Sequence, residues 1–347
     1  MSSPTPLVDG TAFARDVLTP LVRGTNLERS EARDALAAIL TGQVADVHVA
    51  SFLTALTSKG ETADEMTGFV DAMVDAAHTF RVDPRAMDIV GTGGDQLHTV
   101  NISTMASFVV AGCGVKVAKH GNRAASSSVG SADVLEGLGV RLDLSVEDVQ
   151  RCVEEAGIGF CFAPTFNPAL AHLGPIRRAL GFRTIFNVLG PLANPALVTR
   201  TLVGVAQSHL LEPMANVLQA RGIDFGILVH AHDGLDELSL GSPSRLIVVQ
   251  GENRHEETLD AGGELGLVHD VTSIRGGDVA HNVEVVHQFL DGTRGPVFDV
   301  VCANASLALR AAGVATTLTE GFALALDSVM SGRARNALDG LVAVSNA

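Results

Sequence analysis

Tryptophan and tyrosine are absent from the 347 residues, so the core has to be assembled from Ala, Val, Leu, Ile and a few of the 14 Phe. Charged residues are scarce at 18% against 46% apolar, which excludes a disordered chain. Positive charge is in deficit: the net charge is -15, the opposite of what a fold-wide nucleic-acid binder or an anionic-membrane binder needs. A small anionic substrate stays compatible with that balance if local cations, backbone amides or a divalent metal receive it. The four cysteines, Cys113, Cys152, Cys161 and Cys302, form no Cys-x-x-Cys pair. That disfavours a disulfide frame or zinc site and fits free thiols in a reducing cytoplasm. The opening "MSSPTPLVDG" lacks the basic-then-apolar pattern of an export signal, and no uncharged apolar run is long enough to span a bilayer.

The length favours two domains. Residues 10 to 80 read as helices: "TAFARDVLTPLV", "SEARDALAAIL", "VADVHVASFLTAL" and "ADEMTGFVDAMVDAA" place apolar residues at three- and four-residue spacing. Ser30 is a candidate N-cap, and Thr62 with Glu65 forms a capping box. The wide apolar stripes predict a bundle that packs on something else, a second subunit included. From "FRVDPRAMDIVGTGGD" onward, short apolar runs alternate with helical patterns. "MDIV", "GVKVAKHG", "IGFCFAP", "TLVGVA", "FGILVHAH" and "SRLIVV" read as strands, and the alternation predicts an α/β domain with a mostly parallel sheet. "NPALAHLGPIRRALGFRTIFNVLGPLANP" interrupts it as one or two inserted helices. "LVHDVTSIRGGDVAHNVEVVHQFLDGT" reads as a small β excursion, and the segments from "VVCANASLALRAAG" onward as C-terminal helices.

Several loops carry chemistry. "GTGGD" follows a strand, where open α/β sheets bind ligands, and its glycines let the backbone approach an anion. It is neither a dinucleotide fingerprint, since Gln96 stands where the third glycine belongs, nor a P-loop, since Gly-Lys-Ser/Thr is missing. Alone it is equally an ordinary tight turn. "NIST" adds an amide and two hydroxyls at a helix start, suited to phosphate or to simple capping by Ser103 or Thr104. "KHGNRAASSSVGSAD" sets Lys119 and Arg123 among glycines and serines, a pattern that can wrap a highly charged anion. Asp236 and Glu237 in "HDGLDELSL" are hard oxygen ligands suited to Mg²⁺. His230 and His232 make an H-x-H, but no third zinc ligand follows at standard spacing.

Together, "GTGGD", "NIST", "KHGNRAASS", "GSAD", "RRALGFRTIFNVLGPLANP" and "GLDELS" resemble, in order and over nearly the whole chain, the anthranilate phosphoribosyltransferases, which join anthranilate to 5-phosphoribosyl 1-diphosphate (PRPP) in tryptophan biosynthesis. The resemblance implies an α/β fold with a small all-helical domain, residues 1–82 completed by about 170–197, hinged to a larger domain of residues 83–169 and 198–347. It implies PRPP contacts from Gly91, Gly94, Asp95, Thr99, Asn101, Ile102, Ser103 and Thr104, and from Lys119, Gly121, Asn122, Arg123, Ala124, Ala125, Ser126, Ser127 and Ser131. Two Mg²⁺ ions would lie on Ser103, Asp236 and Glu237. Gly91, Asn122, Asn167 and Arg177 would meet anthranilate, with His120, Asn122 and Arg177 closest to catalysis. A homodimer through the helical domain is also implied. One position departs from the family pattern, aromatic-His-Pro-Ala, because "FNPA" puts Asn167 in the histidine's place. Two alternatives share the architecture: a pyrimidine nucleoside phosphorylase, and a non-catalytic nucleic-acid-binding relative.

Overall fold

In the computed structural model, residues 10–124 and 129–347 are described. A seven-stranded sheet is built from β1 (Met87–Gly91), β2 (Val117–Gly121), β3 (Ile158–Phe162), β4 (Arg200–Gly204), β5 (Phe225–Ala231), β6 (Ser244–Gln250) and β7 (Asn253–Leu259). Its order is β3-β2-β1-β4-β5-β6-β7. The first five strands are mutually parallel, and β6 and β7 are added antiparallel. From β1 the chain runs outward through β2 to β3 and then returns to β4 on the other side of β1. That reversal opens a crevice at the carboxyl ends of β1 and β4, the position where such sheets bind ligands.

Both faces of the sheet are buried, so its strands read as apolar runs without polar alternation. Successive residues go to different cores. Ile89, Leu202, Ile227 and Leu246 pack against the helices Ile102–Gly112 and Pro296–Ala311 and their neighbours. Val90, Val203, Leu228 and Ile247 join the second core, which contains Phe52, Phe69 and Met73 of the N-terminal helices. Leu173, Ile176, Phe186 and Leu189 of the inserted segment lie in that same core. His172 Nε2 also meets the carbonyl of Ile39 at 3.0 Å, so the insertion is stitched to the N-terminal helices and not only to the sheet.

The Thr62–Glu65 capping box is present at the start of helix Ala63–Ala76. Three expectations need correction, and one strand had gone unread. Ser30 is not an N-cap: helix Arg29–Leu40 starts earlier, with Glu28 as its N-cap, and Glu31 accepts the Glu28 N–H at 2.9 Å. Neither Ser103 nor Thr104 caps helix Ile102–Gly112; Asn101 occupies that position and both hydroxyl residues lie inside the first turn. The supposed β excursion is a 3₁₀ turn, Val271–Ile274, and a helix, Val279–Leu290, with a single isolated bridge between Thr99 and Arg275. Asp278 sets that helix by accepting the His281 N–H at 2.9 Å, and its buried face is Asn282, Val286, Phe289 and Leu290, a helical spacing beneath a valine-rich surface. Finally, "NRHEETL" forms β7. It is an edge strand with mostly exposed side chains, so it carries no apolar alternation to betray it. No helix among the described residues is long and apolar enough to cross a membrane.

Candidate active site

A cleft of about 360 Å³ opens at the carboxyl ends of β1, β2 and β4. Its walls include Gly91, Gly94, Asp95, Thr99, Asn101, Ile102, Ser103, Thr104, Lys119, His120, Gly121, Asn122, Arg123, Ala124, Ser131, Asn167, Arg177, Asp236 and Glu237. Residues separated by more than a hundred positions thus meet in one place. Ala125, Ser126 and Ser127 lie outside the described residues.

The glycine loop and the acidic pair form one unit. Gly93 N–H donates to Asp236 Oδ2 at 2.8 Å. Gly91 and Gly204 are register partners at the ends of β1 and β4, and both face Asp236. A methyl group on Gly204 would stand 1.7 Å from the Asp236 carbonyl oxygen, and one on Gly91 would stand 2.9 Å from its carboxylate. Only bare backbone lets the acidic loop sit this low. Asp236 and Glu237 are both buried. Burial first, and then the negative charge of Asp95, pushes the Asp236 carboxyl up to about 7. Glu237 is raised well above its ordinary value by burial and by Asp236. Asp95 Oδ2 is buried with no donor.

Lys119 lies under the cleft floor. Its Nζ donates to Ile89 O at 2.5 Å and to Ser103 Oγ at 3.3 Å, and burial lowers its pKa. His120 Nδ1 lies 3.1 Å from Gly190 O. A carbonyl only accepts, so Nδ1 carries the proton and Nε2 is the acceptor nitrogen of the neutral ring. Burial lowers the His120 pKa and keeps that neutral form. Thr104 Oγ1 is buried without a partner in the same cleft.

The opposite wall comes from the inserted segment. Arg177 lies with its guanidinium 5.4 Å from the centroid of the Phe186 ring, and no carboxylate pairs with it among the described residues. Asn167 is buried; its Nδ2 donates to Met73 O at 3.0 Å and its Oδ1 has no partner.

Two profiles of known families tile the chain: "Glycosyl transferase family, helical bundle domain" over residues 15–77 and "Glycosyl transferase family, a/b domain" over residues 83–335. The anthranilate phosphoribosyltransferase of Thermomicrobium roseum is 49% identical over 339 residues, covering 95% of this chain and 97% of its own. This chain belongs to the anthranilate phosphoribosyltransferase family. The Bradyrhizobium enzyme is 46% identical over 96% of this chain and 98% of its own. The crystal structure of the Thermus thermophilus enzyme superposes with a TM-score of 0.90 at 40% identity, over 96% of this chain and all of that one. The Saccharomyces cerevisiae enzyme in complex with PRPP and Mg does so with 0.89 at 25% identity, over 98% and 99%. These full-length relatives favour neither the phosphorylase nor the nucleic-acid-binding alternative.

Within this anthranilate phosphoribosyltransferase-family cleft, Arg123 already has partners in the protein. Its guanidinium bonds Asp133 at 3.1 Å and Glu136 at 2.8 Å and lies 5.7 Å from the Phe162 ring centroid. The side chain that was to meet an anion is neutralised at the rim. The Ala124 N–H is likewise spent on Asp133 Oδ2, at 3.0 Å. Ile102 is buried and offers only backbone. Conversely, Asn187, Gly190 and Pro191 of "IFNVLGPLANP" line the cleft, although none of them was among the expected site residues. The backbone of two further loop residues was not foreseen. Gln96 and His98 adopt positive φ, 64° and 53°, which is uncommon outside glycine and gives the loop its sharp course.

Do these residues suit Mg²⁺? Among the described residues, no cluster of three His, Cys, Asp or Glu gathers as a complete metal cage. Two buried acids whose burial and mutual repulsion hold them protonated, with the orphan oxygen of Asp95 beside them, nevertheless present hard oxygen ligands that a cation would ionise. Such a partial oxygen shell suits an ion that keeps several waters and completes its coordination on substrate phosphates.

Proposed function

We propose that this chain transfers the phosphoribosyl group of PRPP to the amine of anthranilate, giving N-(5-phosphoribosyl)anthranilate and diphosphate. The observation that carries the reading is the polarity of the cleft: amides, hydroxyls and buried acids at one end, and a carboxylate-free Arg177 stacked on Phe186 at the other. The first end suits a metal-bound diphosphate, the second an aromatic carboxylate.

The ribosyl C1–O bond to diphosphate breaks, the C1–N bond to anthranilate forms, and one proton leaves the nitrogen. Asp236, Glu237 and Ser103 would hold Mg²⁺, two ions per subunit, which when bound neutralises the diphosphate oxygens. The glycine-loop amides and the hydroxyls of Ser103 and Thr104 add donors fixed before the reaction begins. Arg177 aligns the acceptor carboxylate and so directs the amine toward C1. The amine proton becomes acidic as the bond forms, so the weakly basic Nε2 of neutral His120 suffices to take it. Asn122 also lines the cleft. Closure of the helical part, residues 1–82 with about 170–197, onto the remainder would exclude water and limit PRPP hydrolysis.

The homodimer belongs to this reading. Val22 and Val47, 73% and 68% exposed, flank a shallow depression on the N-terminal helices that a second copy would cover. Four unpaired cysteines suit a cytoplasmic setting. The test is loss of anthranilate fluorescence that requires PRPP and Mg²⁺ together. Turnover without PRPP, or phosphorolysis of thymidine or uridine in its place, would reject the assignment.

A further inference from the structure

Arg183 joins the inserted segment to the glycine loop. It follows the left-handed Gly181 that ends helix Leu173–Leu180, and it is half-buried. Its Nη2 donates to Gly93 O at 3.0 Å. The guanidinium lies directly on Gly94: a methyl group there would stand 1.3 Å from Arg183 Nη1. Gly94 also has a φ of +79°. Glycine is therefore required at this position for its left-handed backbone and for the seat it gives the arginine.

The electrostatics of this contact are unusual. Many arginines of this acidic chain are neutralised by carboxylates, as Arg123 is by Glu136 and Arg245 by Glu256, whereas Arg177 and Arg183, both carried by the inserted segment, are not. Among the described residues, Arg183 has no carboxylate partner, and one carbonyl accepts from a group that carries five N–H donors. A single neutral acceptor leaves most of its hydrogen-bonding capacity and its full charge unmatched. Its neighbours on the loop are the backbone that faces Asp236 and Asp95, whose Oδ2 has no donor. The loop thus holds acids on one side and an uncompensated cation on the other.

We propose that Arg183 is a diphosphate-binding residue, supplied to the glycine loop by the inserted segment. The inference rests on the phosphoribosyltransferase reading above. With PRPP in the cleft, the guanidinium turns its free donors to the diphosphate oxygens, and Gly93 O serves as its resting acceptor. Planar, charge-assisted donation of this kind is the geometry in which arginine receives phosphate. The contact would also couple occupancy of the loop to the position of the inserted segment, which carries Arg177. Binding of diphosphate would then favour the arrangement that places the acceptor.

Titration calorimetry with PRPP and with inorganic diphosphate, each with Mg²⁺, separates charge from simple bracing of the loop. Arg183→Gln can still donate to Gly93 O but has no charge; Arg183→Lys keeps the charge and loses the planar fork. The expected result is a loss of diphosphate affinity of about ten- to a hundredfold in Gln and a smaller loss in Lys. Equal and unchanged affinities in wild type and Gln would overturn the proposal, as would a Gln variant that loses only anthranilate affinity. A wild-type protein that binds neither PRPP nor diphosphate would instead refute the underlying functional reading. Thermal melts of each variant identify any loss that is merely unfolding.

Discussion

Asn194 donates through Nδ2 to Asp88 Oδ2 at 2.7 Å and to Ala118 O at 2.8 Å. Both residues are buried, and Asp88 Oδ1 accepts the His120 N–H at 3.1 Å. One side chain at the return from the inserted segment therefore ties β1 to β2 and fixes the backbone that carries His120. Asn194→Ala leaves two buried acceptors without their donor, and the expected loss of stability is about 2–4 kcal/mol. Thr199→Ala, which removes an exposed bond to Asp224, should cost well under about 1 kcal/mol. Urea denaturation checks the pair; similar midpoints for the two variants would refute the importance of the buried link.

Asp236 makes the metal-free protein sensitive to pH. Its carboxyl is raised by burial, and next by Asp95, to about 7, whereas in the unfolded chain it returns toward its ordinary 3.8. Between those values the folded state holds a proton that the unfolded state has released. The stability contributed by this group is therefore complete below the unfolded value and is lost as pH rises through about 7. His120, whose pKa burial lowers, works in the opposite direction near its ordinary 6.5, so the wild-type curve alone mixes the two. The difference between wild type and Asp236→Asn isolates the carboxylate. In a chelating buffer, calorimetry should show Asn gaining on wild type as pH goes from about 5 to 8. A constant difference across that range would show that Asp236 is ionised throughout.

Arg177 is the cation at the apolar end of the cleft. Burial lowers its pKa, but a guanidinium remains charged at any working pH. It has a ring beneath it and no carboxylate to neutralise it, so an acceptor carboxylate would satisfy it. Arg177→Ala is expected to raise the KM for anthranilate about a hundredfold and the KM for PRPP by less than about threefold. Steady-state kinetics with each substrate varied in turn gives both. Equal increases would show that the arginine organises the whole cleft.

Much of this site was legible because its parts are short strand ends followed by glycine, hydroxyl or acidic residues. β1 with "GTGGD" and β5 with "GLDELS" are examples, and the continuous apolar runs identified the strands because both sheet faces are buried. What escaped is long-range pairing. Nothing adjacent to Arg123 shows that Asp133 and Glu136 curl back to neutralise it, since that requires the turn between them to be built. Nothing around Arg183 shows that it crosses to Gly93, 90 positions earlier. The edge strand β7 was invisible for a different reason: with both faces largely in solvent, it has no apolar pattern to display. The helix Val279–Leu290 was misread because β-branched valines favour strands locally, while its N-cap and buried face decided otherwise.

Gly204 supplies the severest geometric constraint on the acidic pair. It ends β4 beside Gly91, and the Asp236 carbonyl lies where its Cβ would be, at 1.7 Å. The obstacle is backbone and not a flexible side-chain tip, so the loop bearing Asp236 and Glu237 has to rise by more than an ångström to admit a methyl group. That displacement also lengthens the Gly93 N–H bond to Asp236. Gly204→Ala should therefore cost about 1–3 kcal/mol from overpacking and lower kcat by at least about tenfold, because the acids no longer face the diphosphate. Gly174→Ala offers the contrast. It lies within helix Leu173–Leu180, where the nearest atom to a new methyl is the flexible Arg178 guanidinium at 3.4 Å, and alanine should leave the melting temperature unchanged or higher. Calorimetry and turnover on the two variants decide the matter: a Gly204→Ala enzyme with wild-type kcat would mean that the acidic pair does not need the position found here.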